Sequence, residues 1–226
     1  MRLHRISWIV SLPFRQPVLL VASLLFSGIL YVANMQASIY DIQSPKLVIT
    51  MAVFILLSPL FHGVVILLVR GVERGDAISP WRALSQTAAF YPRLVVGEIL
   101  VNLVVVAGLF LFILPGIYVG LRFIFYKQAI LIDQTAGTAA LQTSLRRTPG
   151  WRIPLVLILL LAPFYGLVIL IGYLVTQYSL GAFGEGLAAA ASALTLVWTN
   201  ALLTSLYLEP TMVPHLMKST KDDPEV

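Results

Sequence analysis

Four side chains that can ionise or hydrogen-bond strongly interrupt long apolar runs in this sequence: His62, Glu98, Asn102 and Arg122. If those runs cross lipid, such groups are costly there and are the first place to look for function. His62 precedes Arg70 by eight residues, which puts it about 12 Å inside a boundary marked by that arginine, at about 1.5 Å per helical residue. Glu98 follows Arg93 by five residues, about 7 Å in. Asn102 stands at i+4 from Glu98 and shares its helix face. The two runs are neighbours in sequence and opposite in direction, so His62 and Glu98 can approach one another. Two chemistries remain open. His62, Glu98 and Asn102 could form a proton-linked site in a carrier. Alternatively Glu98 snorkels to the interface or pairs with Arg122, while His62 and Asn102 make interhelical hydrogen bonds. The second is favoured because Glu98 is shallow, and Arg122 is expected to find a structural partner rather than a substrate anion.

Recognisable enzyme chemistry is not found. The three histidines, His4, His62 and His215, are scattered, without a spacing such as H-E-x-x-H. The chain has no cysteine, so thiol catalysis, disulfides and Cys-ligated metal are out. No G-x-S-x-G elbow or Walker loop occurs, and no carboxylates are paired in adjacent turns of an apolar run. The expectation is no catalytic residue, no cofactor and no metal site: a protein that is not an enzyme.

The elements that must position these groups follow from hydropathy. Hydrophobic residues make up 59% of 226 and charged residues only 11%, with a mean hydropathy of +0.91. Soluble domains carry about 25% charged residues, so the expected solvent is lipid. A span takes about 20 apolar residues to cross a hydrocarbon core of about 30 Å. The candidates are Val18–Met35, Leu47–Val69, Leu94–Leu114, Ile153–Val175 and Leu187–Leu208, with Ile117–Ile132 marginal because Arg122 opposes its insertion. Lys and Arg concentrate in the N-terminus, Arg70–Arg93 and Lys127–Arg152, which therefore belong on the cytoplasmic side. That charge pattern makes Ile117–Ile132 a returning sixth span and Pro115-Gly116 a tight outer turn, with Gly free to take positive φ. The fold expected is all-α: a polytopic transmembrane bundle of about six spans, residues 1–217, followed by a short charged tail, residues 218–226.

Short amphipathic helices are expected to precede the outward spans and to lie at the interface. Ser79-Pro80 is a cap-plus-first-turn signal; Thr138 opens a second piece, Ala139–Arg147; Ile6–Leu12 is a third. Ala83-Leu84 and Ala140-Leu141 are each followed by a proline, Pro92 and Pro149, nine residues after the alanine, which suggests a threefold repeat of interfacial helix, outward span and return. Trp81 and Trp151 would sit in the aromatic belt, with Arg82, Arg146 and Arg147 near anionic lipid of the cytoplasmic face. The net charge of +5 sets orientation and calls for no nucleic acid.

The run GVVILLVRGVERGDAISPWRALSQTAAFYPRL (Gly63–Leu94), the LPGIYVGLRF stretch (Leu114–Phe123) and ALQTSLRRTPGW (Ala140–Trp151) together resemble the YciC family of bacterial inner-membrane proteins. The likeness lies in their order: apolar span, Gly-containing turn, Ala-Leu helix, a Pro-basic-Leu start to the next span, a Pro-Gly break and a second Ala-rich helix. It covers roughly residues 60–155. The resemblance implies a six-span inner-membrane protein of unassigned biochemical function, with no established catalytic residues to carry over; the charge pattern puts both termini on the cytoplasmic side. The expected role is non-enzymatic, in membrane or envelope organisation through helix packing, lipid or a protein partner such as a second copy. The alternative is a small-solute carrier or channel using His62, Glu98, Asn102 and Arg122.

Overall fold

The computed structural model describes residues 45–76, 78–179 and 181–209, with 11, 17–19, 21, 23 and 24. The expected first span Val18–Met35 lies mostly outside them, and the amphipathic piece Ile6–Leu12, His4, His215 and the charged tail fall wholly or almost wholly outside. The described residues are helical, without strands. Among the described residues from 45 on, seven helices follow in order: α1 Pro45–Arg74, α2 Pro80–Leu111, α3 Ile113–Arg122, α4 Tyr126–Ile132, α5 Thr138–Arg147, α6 Arg152–Gln177 and α7 Gly181–Leu208. Four segments among them are long and apolar enough to cross a membrane by length and composition: Leu56–Arg74, Pro80–Leu111, Ile153–Val175 and Gly186–Leu208.

Helices α1 and α2 form an antiparallel hairpin whose turn is written in the sequence. Gly75 takes φ of 72°, and the Asp76 N–H donates to Gly71 O at 2.8 Å, closing the end of α1 in a Schellman-type cap. Ser79 caps α2 by accepting from the Arg82 N–H at 3.3 Å, with Pro80 as the first helical residue, as its spacing predicts. The expected break between an amphipathic piece and a span at Leu94 does not occur. Residues from Pro80 to Leu111 form one helix that includes Pro92. Its first half is anchored along α1: Thr87 seats on Gly63, where a Cβ would fall 2.3 Å from the Thr87 methyl, and the Tyr91 hydroxyl donates to Leu56 O.

From Phe112 the chain folds back along α2. Phe112 alone is extended, with φ of −162°, so the turn comes three residues earlier than expected and Pro115 and Gly116 lie in the first turn of α3. Proline fits there because that position needs no N–H donor. Gly116 is required for closeness rather than for positive φ: a Cβ on it would lie 2.5 Å from the Leu109 backbone nitrogen. The return leg continues through α4, which reaches α2 again at Gly97, beside Tyr126 and Ile130.

The return leg is interrupted at residues 123–125, and α5 fills the gap. Ser144 Oγ accepts from the Phe125 N–H at 3.1 Å and donates to Arg122 O at 2.8 Å. Thr148 Oγ1 donates to the same carbonyl at 2.9 Å. Ser144 and Thr148 are fully buried. Broken helices are tolerated away from water when neighbours satisfy the freed backbone groups, and α5 supplies those neighbours. The second amphipathic piece is thus docked against α4, with Ala140 and Ser144 inward.

Burial divides the molecule along its length. Much of the C-terminal half of α1, most of α4 and the C-terminal half of α7 are surrounded: Val65, Ile66, Val69, Ala129, Ile130, Val197 and Ala201 expose almost nothing. The second half of α2, the start of α3 and most of α6 instead present large apolar side chains outward, culminating in Phe110 at 90% exposure. In water each such side chain would forgo about 1.5–3 kcal/mol of burial, so this half is built to face an apolar medium.

Placing a methyl group at Gly116 tests the hairpin. Gly116→Ala forces the α2 and α3 backbones apart and should cost about 1–3 kcal/mol, as overpacking does. Gly166→Ala, where nothing lies within 4 Å, should be neutral or stabilising by up to about 1 kcal/mol. Thermal unfolding of both variants in one detergent checks the contrast.

Candidate functional site

The site grows from a spacing within α1. Ser58 and His62 stand one turn apart; His62 Nδ1 lies 2.8 Å from Ser58 O and 3.0 Å from Ser58 Oγ. The return leg delivers two further groups. At the start of α4, Tyr126 lies flat against Gly97, where a Cβ would come within 3.1 Å of its ring, and its hydroxyl donates to Glu98 Oε2. Lys127, the next residue, reaches between helices: its Nζ is 2.8 Å from the same Glu98 oxygen and 3.3 Å from His62 Nδ1. The Lys127 and Glu98 side chains are 15% and 13% exposed, so the ion pair is only lightly hydrated. Lys127 also stands 5.5 Å from the Tyr126 ring centroid, within cation–π range.

Of the four residues singled out in the sequence, the structure joins two. His62 and Glu98 share Lys127 as a common partner. Asn102 is exposed one turn beyond Glu98. Arg122 does not pair with Glu98: it donates to the Tyr118 hydroxyl at 2.7 Å and to Leu145 O at 3.1 Å, while its buried Nε has no partner. Tyr118 in turn stacks on Trp151 with ring centroids 4.0 Å apart. The reason is register. Arg122 lies at the end of α3, facing α5, whereas Lys127 comes five residues later, where the return leg reaches Glu98.

Reasoning from sequence missed Ser58, Tyr126 and Lys127. The i, i+4 spacing of Ser58 and His62 was a legible signal. Lys127 was read only as a charge that sets orientation.

The chemistry available turns on one nitrogen. A neutral imidazole with its proton on Nδ1 donates to Ser58 O; with its proton on Nε2, it can accept at Nδ1 from Lys127 or from the Ser58 hydroxyl. His62 Nδ1 cannot do both at once. The cluster Ser58–His62–Lys127–Glu98–Tyr126 is therefore a hydrogen-bonded chain through α1, α4 and α2, with two settings at its histidine. Among the described residues no three His, Asp or Glu side chains are grouped as a metal would need.

A second polar cluster closes the densely buried end. Arg147 donates to Tyr207 O at 2.7 Å, its guanidinium lies 3.8 Å from the Tyr207 ring centroid, and its Nη2 is 3.6 Å from Asp133 Oδ2. The Tyr207 hydroxyl donates to that same Asp133 oxygen, and Ser205 Oγ donates to Glu73 Oε1. Arg147 is thus committed to protein groups, whereas Arg82 and Arg146 are exposed. Along α7, Thr195, Thr199, Asn200 and Thr204 are buried and Ser192 is exposed; the Thr199 and Thr204 hydroxyls have no partner among the described residues.

Fold and site together define a class, a helical protein with, among the described residues, four helices suited to a membrane and an ion-paired cluster between helices. No protein-family model, no curated protein and no solved structure matches the chain.

Removing one member of the ion pair should be worse than removing both. Lys127→Met leaves Glu98 without its cation and should destabilise by about 3–5 kcal/mol, whereas replacing a whole pair is often close to neutral. A double-mutant cycle with Glu98→Gln, read by thermal unfolding in detergent, should show that recovery.

Proposed function

We propose that this chain is a non-enzymatic, multi-span protein of a bacterial inner membrane, of the YciC kind, serving envelope organisation through helix packing, lipid contact or a protein partner. One observation carries the reading: Glu98, Arg122 and Arg147, set among its apolar helices, are held by other groups of the protein. Glu98 is matched by Lys127 and Tyr126, Arg122 by Tyr118 and Leu145 O, and Arg147 by Tyr207 and Asp133. Such mutual pairing is how helices in lipid fix their arrangement.

Orientation follows from the basic segments Arg70–Arg93 and Lys127–Arg152, with both termini cytoplasmic. The return of α3 and α4 along α2 supports Ile117–Ile132 as the fourth of six membrane segments. Exposed Trp81 and Arg82, with Trp151 and Arg146, suit contact with anionic headgroups on the inner face.

The contested proton at His62 Nδ1 favours a second reading, a proton-linked small-solute carrier. In it His62 and Glu98 exchange Lys127 as partner while a polar path opens between α1, α2 and α4.

Purified protein in lipid vesicles separates the two. The first reading expects no movement of protons or small solutes above protein-free vesicles. Movement of a defined solute that Glu98→Gln abolishes would establish the carrier instead. For orientation, a reporter fused within the turn at Ser179 should read as outside the cytoplasm.

A further inference from the structure

The turn between α2 and α3 lacks the composition of a loop in water. Phe110, Leu111, Phe112, Ile113 and Leu114 follow one another, and each is at least 69% exposed. From Ile99 to Leu121 the chain carries no Asp, Glu, Lys, Arg or His, and Asn102 and Tyr118 are its only polar side chains. The exposed tip is continuous with the apolar outer face of α2 at Val96, Ile99, Leu103 and Val106.

Length agrees with this composition. Arg93 to Leu111 rises about 27 Å as helix, slightly less than the about 30 Å of hydrocarbon in a bilayer. A helix anchored by Arg93 at the inner boundary ends before it clears the other side. The turn is also economical in unpaired backbone. It contains a single non-helical residue, Phe112, whose N–H donates to Gly108 O at 3.0 Å and whose carbonyl accepts from the Gly116 N–H at 3.2 Å. Pro115, two residues into α3, brings no donor. Few polar groups therefore need water, which is the condition for a chain reversal to remain at the edge of lipid.

We propose that the α2–α3 hairpin ends within the bilayer, its tip side chains covered by acyl chains of the far leaflet and its few free backbone groups at the ester level. The inference rests on the reading of α2–α4 as membrane segments and refines it: the third and fourth segments meet inside the membrane rather than beyond it. Topology is unchanged in parity, since both limbs begin and end on the same side. The hairpin passes the inner leaflet and stops inside the far one, and what covers its tip is lipid.

Because the chain has no cysteine, single-cysteine labelling has no background. Phe112→Cys, Leu114→Cys and the reference Ser179→Cys are placed one at a time in the full chain in lipid vesicles. Each is exposed to a membrane-impermeant maleimide added to both faces. Labelling at Phe112 and Leu114 should be at least about tenfold slower than at Ser179, as expected for a lipid-immersed tip, and should equalise in denaturing detergent. A bimane attached at Phe112 should be quenched by spin-labelled acyl chains. Equal labelling rates with an unquenched dye would overturn the proposal and leave a conventional crossing with an aqueous loop. Spontaneous disulfide dimers through Phe112→Cys would overturn it in favour of a second copy over the tip. Failure of the orientation reading would appear separately, with the maleimide added to one face at a time, as Ser179→Cys labelled only from the cytoplasmic face.

Discussion

Where lipid replaces water, a polar group has only the rest of the protein to bond with, and the architecture here follows from that scarcity. The lysine in the first turn of α4 is the clearest case. Lys127 Nζ lies within hydrogen-bond reach of both α1 and α2, through His62 and Glu98. An ammonium without those partners would be costly at that depth. With them, it fixes the position of the return leg against the first hairpin. The same rule governs the gap at residues 123–125, where Ser144 and Thr148 lend hydroxyls to the Phe125 N–H and the Arg122 carbonyl. Side-chain chemistry at a few positions thereby decides the register of helices whose apolar surfaces would slide past one another with little penalty.

The two ends of the molecule solve different problems. Around α4 the packing resembles the interior of a soluble domain, with residues buried on every side and a closing layer formed by Arg147, Tyr207, Asp133, Glu73 and Ser205. Around the α2–α3 tip and α6 the helices touch few neighbours among the described residues and turn their apolar faces outward. Glycine provides the closeness needed where two thin elements must adhere, at Gly108 against Gly116 and at Gly97 beneath Tyr126. Small residues serve this purpose in membrane helices because close backbones gain van der Waals contact that lipid cannot match.

Much of this was legible in the residues. Apolar runs of sufficient length gave the long helices, and the Ser79-Pro80 pair gave the start of α2 within its cap geometry. His62 and Glu98 were recognisable because a titratable group in an apolar run stands out whatever the fold. Their link was not, because Lys127 sits among basic residues whose collective signal concerns orientation, and only the register of the return leg singles it out. Pro115-Gly116 misled by three residues: the dipeptide satisfies turn chemistry, yet proline is equally content in a helix's first turn, and Gly116 answers a need for proximity that local sequence does not display. Ser144 was invisible in principle, since the backbone groups it serves exist only once the helix has broken some twenty residues upstream. The continuity of α2 through Pro92 also escaped local reading, because a proline that would end an isolated helix is held in line here by anchoring on α1.

That dependence of an earlier gap on a later helix has a consequence for biosynthesis. The ribosome releases Phe125 before Ser144 and Thr148, and at about 5–20 residues per second the interval is roughly one to five seconds. During it the Phe125 N–H and the Arg122 carbonyl lack the hydroxyls that later serve them, so this part of the return leg is completed only once α5 has been made. For this chain, the order of synthesis and the order of stabilisation run in opposite directions.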